Sequence, residues 1–172
     1  MTGVPPFRPL EIIDALARHE VLYVVIGGLA ATLHGSPLTT GDADICPAAD
    51  PDNLERLSTA LRDLGARVHT VSEPEGLPFA CEAETLAQAR IWNLVTRSGR
   101  VDVSFEPPGT GGYRDLRRDV ATFDVEGLLI PVASLADVIR SKEAAGRERD
   151  RQALPTLRRL LERLDEERRS GH

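Results

Sequence analysis

Val21-Leu22-Tyr23-Val24-Val25-Ile26-Gly27-Gly28-Leu29-Ala30 decides the reading of this chain, together with the Asp42-Ala43-Asp44 that follows it. The first six residues are apolar, largely β-branched and few, which predicts a buried strand. Two glycines let the backbone turn sharply there and approach a neighbour closely. Leu29–His34 then reads as a short helix closed by Gly35, and its free N–H groups would face an anion near the glycines. Asp42 and Asp44 are two apart, so on a strand they share one face. Parallel carboxylates repel unless a cation lies between them. Taken singly, Gly-Gly is an ordinary tight turn and Asp-x-Asp an ordinary solvated loop or cap. In this order they point to a phosphate cradle beside a metal-holding pair.

Working outward, a Pro-containing start leads into an amphipathic helix over residues 9–19, with Leu10, Ile13, Leu16 and Ala17 on one face. Residues 36–41 form a loop into the Asp42–Cys46 strand. Asp50-Pro51 opens a helix to Leu64, with Asp50 as N-cap, Pro51 in the first turn and Gly65 at the end. Residues 67–71 read as a third strand and 72–81 as a loop near the site. Ile91–Thr96 and Arg100–Phe105, joined by Arg97-Ser98-Gly99, read as a β-hairpin. A helix follows over 113–121, then strands at 122–126 and 128–132, a helix from Leu135 to Ala153, and another from Pro155 to Glu167. Strands mixed with helices and an antiparallel hairpin give an α/β (α+β) domain with a mixed sheet. We expect a core over 1–133 and a helical extension over 134–172 packed on it.

Within 172 residues, an apolar fraction of 41% supports a sizeable core, although aromatics make up only 4%. No apolar run is long enough to cross a bilayer, no signal-peptide pattern opens the chain, and no membrane partner is expected. Cys46 and Cys81 form neither a zinc spacing nor a disulfide framework, so the cytoplasm is the expected compartment. The net charge of −6 argues against non-specific coating of nucleic acid and hides a gradient. Residues 1–110 carry 8 basic and 15 acidic groups, and residues 111–172 carry 13 and 12. An acidic site for a cation and an Arg-rich face for a polyanion would fit that division, as would a solvated helix surface. Lys142 is the only lysine among 21 basic residues, and a compact ammonium suits a phosphate point contact.

Asp102 sits between Val101 and Val103 on the second hairpin strand, on the face opposite both valines. If that strand pairs beside Asp42 and Asp44, three carboxylates converge into a hard-oxygen site for Mg²⁺, one ion or two about 3.5–4 Å apart. Lys142, Gly146 and Asp150 recur every four residues and would form one helical stripe. A glycine in mid-helix costs roughly 1 kcal/mol, which would imply close packing there. Glu143 with Arg147 is the alternative solvated pair.

With these residues placed, the chain resembles the polymerase-β-like nucleotidyltransferase superfamily: Gly27-Gly28, then Asp42-Ala43-Asp44, then Asp102. Within it, the chain is similar to small bacterial proteins related to abortive-infection toxins of the AbiEii type. Val24–Ala30, Thr40–Asp44, and Lys142–Arg147 with Asp150 carry that similarity, which spans roughly residues 10–165. The resemblance implies a mixed-sheet core and Mg²⁺-dependent transfer of a nucleoside monophosphate from an NTP, ATP among them, to an acceptor hydroxyl. It implies that Asp42, Asp44 and Asp102 hold metal, with Asp102 able to take the hydroxyl proton. Gly27, Gly28, Thr40 and Lys142 would contact the nucleotide's phosphates, with Arg147 and Asp150 in support. It further implies tRNA or other RNA as acceptor and a cognate antitoxin as partner, or a small molecule as acceptor in other branches. The chain departs from the pattern at Leu38, where relatives carry arginine, and a catalytically degenerate binding module is the alternative. Arg114, Arg117, Arg118, Arg140, Arg147 and Arg151 could track a phosphate backbone. Glu73, Glu75, Glu82 and Glu84 could instead give an antibiotic acceptor an acidic pocket.

Overall fold

The computed structural model describes residues 3–171; residues 1, 2 and 172, assigned above to the two ends of the chain, lie outside the described residues. The elements run α1 (Pro9–Arg18), β1 (Tyr23–Ile26), α2 (Gly27–Leu33), β2 (Asp42–Pro47), α3 (Pro51–Asp63), β3 (Arg67–Val68), α4 (Ala83–Leu86), β4 (Ile91–Thr96), β5 (Gly99–Ser104), α5 (Tyr113–Leu116) with a 3-10 turn (Arg117–Asp119), β6 (Ala121–Val125), β7 (Leu128–Val132), α6 (Leu135–Ala145) and α7 (Glu148–Ser170). A seven-stranded mixed sheet has the order β3-β4-β5-β2-β1-β7-β6. Its hairpins are antiparallel, while β2 with β5 and β1 with β7 pair in parallel.

The β1–β2 ladder sets the centre. Val24 and Val25 are buried on β1, and Ala43 and Ile45 on β2, so both faces of this pair contribute to packing. In α1 the buried residues are Ile12, Ile13, Ala15 and Leu16; Ala17, expected on the apolar face, is exposed. Leu154, Leu157 and Leu160 of α7 join the same hydrophobic core as α1, α3 and the sheet. No helix among the described residues is long and apolar enough to cross a membrane.

Three local expectations differ from the structure. The third strand stops at Val68, whose outer edge bridges Leu77 from the following loop. A short helix, α4, closes that loop without a side-chain cap to announce it. The largest correction concerns the C-terminal helices. They break at Gly146, whose φ of +61° ends α6 in the left-handed conformation, and α7 begins at Glu148 and runs through Pro155. Lys142, Gly146 and Asp150 are therefore no single helical stripe. Glu143 pairs with Arg158 and not with Arg147.

Asn53 ties α3 to the two strands that carry the glycine and aspartate motifs. Fully buried, its side chain accepts from the Leu22 N–H at 2.7 Å and donates to the carbonyls of Leu22 at 2.9 Å and Ala48 at 2.7 Å. Removing the amide takes away the partner of the Leu22 N–H and of the Ala48 carbonyl, while the Leu22 carbonyl keeps the Ala48 N–H at 3.0 Å. Asn53→Ala should lower stability by about 2–3 kcal/mol in denaturant unfolding, with the midpoint moving and the m-value unchanged.

Candidate active site

Ile26 ends β1 directly opposite Asp44 of β2, and the chain turns at once into α2. Gly27 makes the turn with a φ of +65°, and a Cβ there would lie 2.2 Å from Asp44 Oδ2. Glycine is thus required twice, for conformation and for space. A Cβ on Gly28 would lie 2.9 Å from Thr40 Oγ1, and the Thr40 hydroxyl donates to the Asp42 carbonyl at 3.2 Å. The glycine pair and the aspartate pair, apart in sequence, are in contact. The two glycines form the first turn of α2 instead of preceding it.

Parallel pairing of β2 with β5 sets Asp44 opposite Asp102 and Asp42 opposite Arg100. The strand alternation puts these four on one face and buries Ala43, Ile45, Val101 and Val103 on the other. Carboxylate oxygens of Asp42, Asp44 and Asp102 all lie within 4.8 Å of one another. Burial pushes the Asp44 carboxyl up to about 8, helped by the charges of Asp42 and Asp102 and opposed by Lys142. Asp102 is pushed up to about 6, again by burial first and then by its hydrogen bond and charge interaction with Asp42, while Arg100 opposes. Arg100 Nη2 stands 3.4 Å from Asp102 Oδ1. Three hard oxygen donors, two of them reluctant to ionise, fit a small divalent cation that would supply the missing positive charge.

Lys142 reaches the site from α6. Its Nζ is 3.7 Å from Oδ1 of Asp150, a residue with no exposed surface. Asp150 also accepts from the Arg147 Nε at 2.7 Å and from the Arg147 backbone N–H at 3.1 Å. Burial raises the Asp150 pKa, but these bonds and the charges of Arg147 and Lys142 outweigh it and hold the carboxyl below its usual range. The two residues therefore meet across the helix break, which brings α7 back against α6. A cleft of about 820 Å³ opens between α2, α6 and α7 on one side and β2, β4 and β5 on the other. Gly27, Gly28, Thr40, all three acids, Lys142 and Arg147 line it. Asp150 lies behind the wall.

The other charged groups behave differently. None of Glu73, Glu75, Glu82 and Glu84 lines the cleft, so the acidic acceptor pocket expected from them does not form there. Arg140 is taken by Asp115 and Asp137, and Arg151 by Glu148 and the Gly146 carbonyl. Trp92 stacks on Phe79 and donates to the Leu86 carbonyl. Arg100, Asn93 and Arg149 line the cleft without having been anticipated. The signal for Arg100 was present: it stands two residues before Asp102, hence on the same strand face.

No protein-family model matches the chain, and no curated protein matches it. Among solved structures, a candidate nucleotidyltransferase from Thermotoga maritima has a TM-score of 0.56 at 20% identity, covering 92% of this chain and 97% of its own. The lincosamide antibiotic adenylyltransferase LnuA, solved with lincomycin bound, has a TM-score of 0.59 at 17% identity, covering 90% of this chain and 99% of its own. The chain has the nucleotidyltransferase fold. At these identities the likeness is one of fold, and it extends over nearly the whole of each chain.

In this nucleotidyltransferase fold the acids carry a stability cost that depends on pH. Asp44 and Asp102 hold their protons more tightly folded than unfolded. Metal-free stability is therefore greatest near pH 4 as far as these groups are concerned, and falls as pH rises through about 6 and about 8. Asp44→Asn should raise the Tm of chelator-treated protein at pH 8 by at least about 3 °C, and Mg²⁺ should raise the wild-type Tm but not the variant's. Differential scanning fluorimetry from pH 5 to 8 checks both.

Proposed function

We propose that this chain is a metal-dependent nucleotidyltransferase that moves a nucleoside monophosphate from an NTP to an acceptor hydroxyl. The convergence of Asp42, Asp44 and Asp102 within 4.8 Å, facing a cleft walled by glycines and Lys142, carries the reading. Asp42, Asp44 and Asp102 would hold Mg²⁺, one ion or two. When bound, the metal offsets charge on the phosphate oxygens and lowers the pKa of the attacking hydroxyl. Gly27, Gly28 and Thr40 would bring the triphosphate close to the acids, because no side chain at either glycine holds it off. Lys142 would bind phosphate, and Asp150 would hold both Lys142 and Arg147 in place.

In the reaction, the acceptor oxygen bonds to the α-phosphorus, the bridging bond to the β-phosphate breaks, and pyrophosphate leaves. Asp102, held beside the cleft, would take the hydroxyl proton. Leu38, at the position where an arginine was anticipated, is 41% exposed on the cleft rim. Arg147 and Arg149 line the same cleft and offer cations in its place. This weakens the case for a degenerate binding module.

The likeness to LnuA supports a small-molecule acceptor, since that protein's structure holds lincomycin. An RNA acceptor and an antitoxin partner rest on the AbiEii-type sequence resemblance alone. Labelled NTPs offered with bulk tRNA and with a panel of lincosamides and aminoglycosides should show Mg²⁺-dependent transfer to one class. Asp42→Asn or Asp44→Asn should cut that transfer by at least about 1,000-fold with circular dichroism unchanged. Full activity in either variant would overturn the proposal, and wild-type protein that binds no Mg-NTP would favour the non-catalytic module.

A further inference from the structure

Beyond Asp102 the acidic face of the sheet continues outward. In the antiparallel β4–β5 ladder, Asn93 stands opposite Asp102, and Ile91 opposite Ser104. The β3–β4 ladder ends at Val68, and one further backbone bond, from the His69 N–H to the Asn93 carbonyl at 2.8 Å, sets His69 beside Asn93. Directly opposed residues share a face. Asp44, Asp102, Asn93 and His69 therefore form one row across the sheet, with Arg100 beside it. No helix covers the outer part of this row: Asn93 is exposed and Ile91 is 60% exposed.

We infer that Arg100 and His69 form a subsite on this platform for an oxyanion carried by the acceptor. The inference rests on the nucleotidyltransferase reading, which gives the opposite wall, with Gly27, Gly28 and Lys142, to the NTP. Arg100 Nε is buried and has no hydrogen-bond partner, the only such side-chain nitrogen or oxygen among the described residues. The side chain as a whole is 32% exposed and borders the cleft, so the guanidinium can turn toward a ligand that meets its free donor. Its one ion-pair partner among the described residues, Asp102, meets only Nη2, at a long 3.4 Å, and a metal bound to Asp102 or to the opposing Asp42 would draw on those same carboxylates.

His69 stands at the outer edge of the platform, beyond the residues that line the cleft, and its ring makes no hydrogen bond among the described residues. Partial burial and the Arg100 charge lower its pKa, so the ring is neutral at pH 7 and offers one N–H. Apart from the three metal-binding candidates, no carboxylate lines the cleft. A polycationic acceptor would find no complement on the platform, whereas an oxyanion would find a planar arginine fork, an imidazole N–H and the Asn93 amide.

Sulfate is the probe, titrated by calorimetry into full-length protein saturated with Mg²⁺ and a non-hydrolysable NTP. A saturable sulfate step should appear in wild type and in Arg163→Gln, a control on an exposed position of α7 outside the cleft lining. It should weaken by at least about tenfold in Arg100→Gln and about threefold in His69→Phe. No sulfate step, or one indifferent to both platform substitutions, overturns the inference. Failure of the NTP to bind overturns the transferase reading instead, and the sulfate titration with Mg²⁺ alone still reports on the platform. Glycerol 3-phosphate and a 3′-hydroxyl RNA trinucleotide are then set to compete with sulfate. Competition by the first alone assigns the oxyanion to a small molecule, by the second alone to a polynucleotide, and by both to any phosphate. Competition by neither contradicts an acceptor-borne oxyanion.

Discussion

The site depends on the parallel pairing of β2 with β5, which forces Asp44 and Asp102 to face each other across adjacent strands. Nothing in the local chemistry of two carboxylates would bring them together. The pairing is held from the other side of the sheet, where Ala43, Ile45, Val101 and Val103 are buried in the core. Hydrophobic burial on one face thus stabilises electrostatic repulsion on the other. Shifting either strand by one residue would turn its acids into the core and its apolar residues into the cleft. Gly27 adds a second constraint, because the chain leaving β1 passes so close to Asp44 that no side chain fits between them.

From that arrangement the cleft acquires two unlike walls. One is built from α2, α6 and α7, and it sets glycine backbone and Lys142 near the acids. Asp150 gives this wall its order, since a carboxylate without solvent contact must be met by Arg147 and Lys142 or remain uncompensated. The other wall is bare sheet with an arginine, an amide and an apolar side chain. Under the proposed transfer, a phosphate chain and an acceptor would place different demands on a surface, and the asymmetry would suit them: close backbone approach and a point charge on one side, side-chain recognition on the other.

The glycine turn, the first two aspartates and the hairpin with Asp102 were legible because each is a local pattern with a fixed period. Their convergence was not local, and the sequence supplied it only as a condition on strand pairing. The spacing of Lys142, Gly146 and Asp150 was read as one helix because four-residue recurrence is what a helix produces. The left-handed φ at Gly146 breaks it, and glycine is equally at home in either conformation, so residue identity alone did not decide. Lys142 and Asp150 still meet, through the fold of one helix back on the other. Arg100 was passed over because a charged residue at the start of a hairpin strand commonly faces solvent. Its register against Asp42 makes it part of the site. His69 and Asn93 could be placed only once β3 and β4 were paired.

We infer that the acids are partly protonated when metal-free and would become ionised around a divalent cation. Calorimetry of Mg²⁺ binding at pH 7, repeated in buffers of different ionisation enthalpy, measures this directly through the protons exchanged per ion bound. About one proton should be released per Mg²⁺, and this release should be lost in Asp44→Asn. Absence of Mg²⁺ binding, or binding with no proton released, would contradict it.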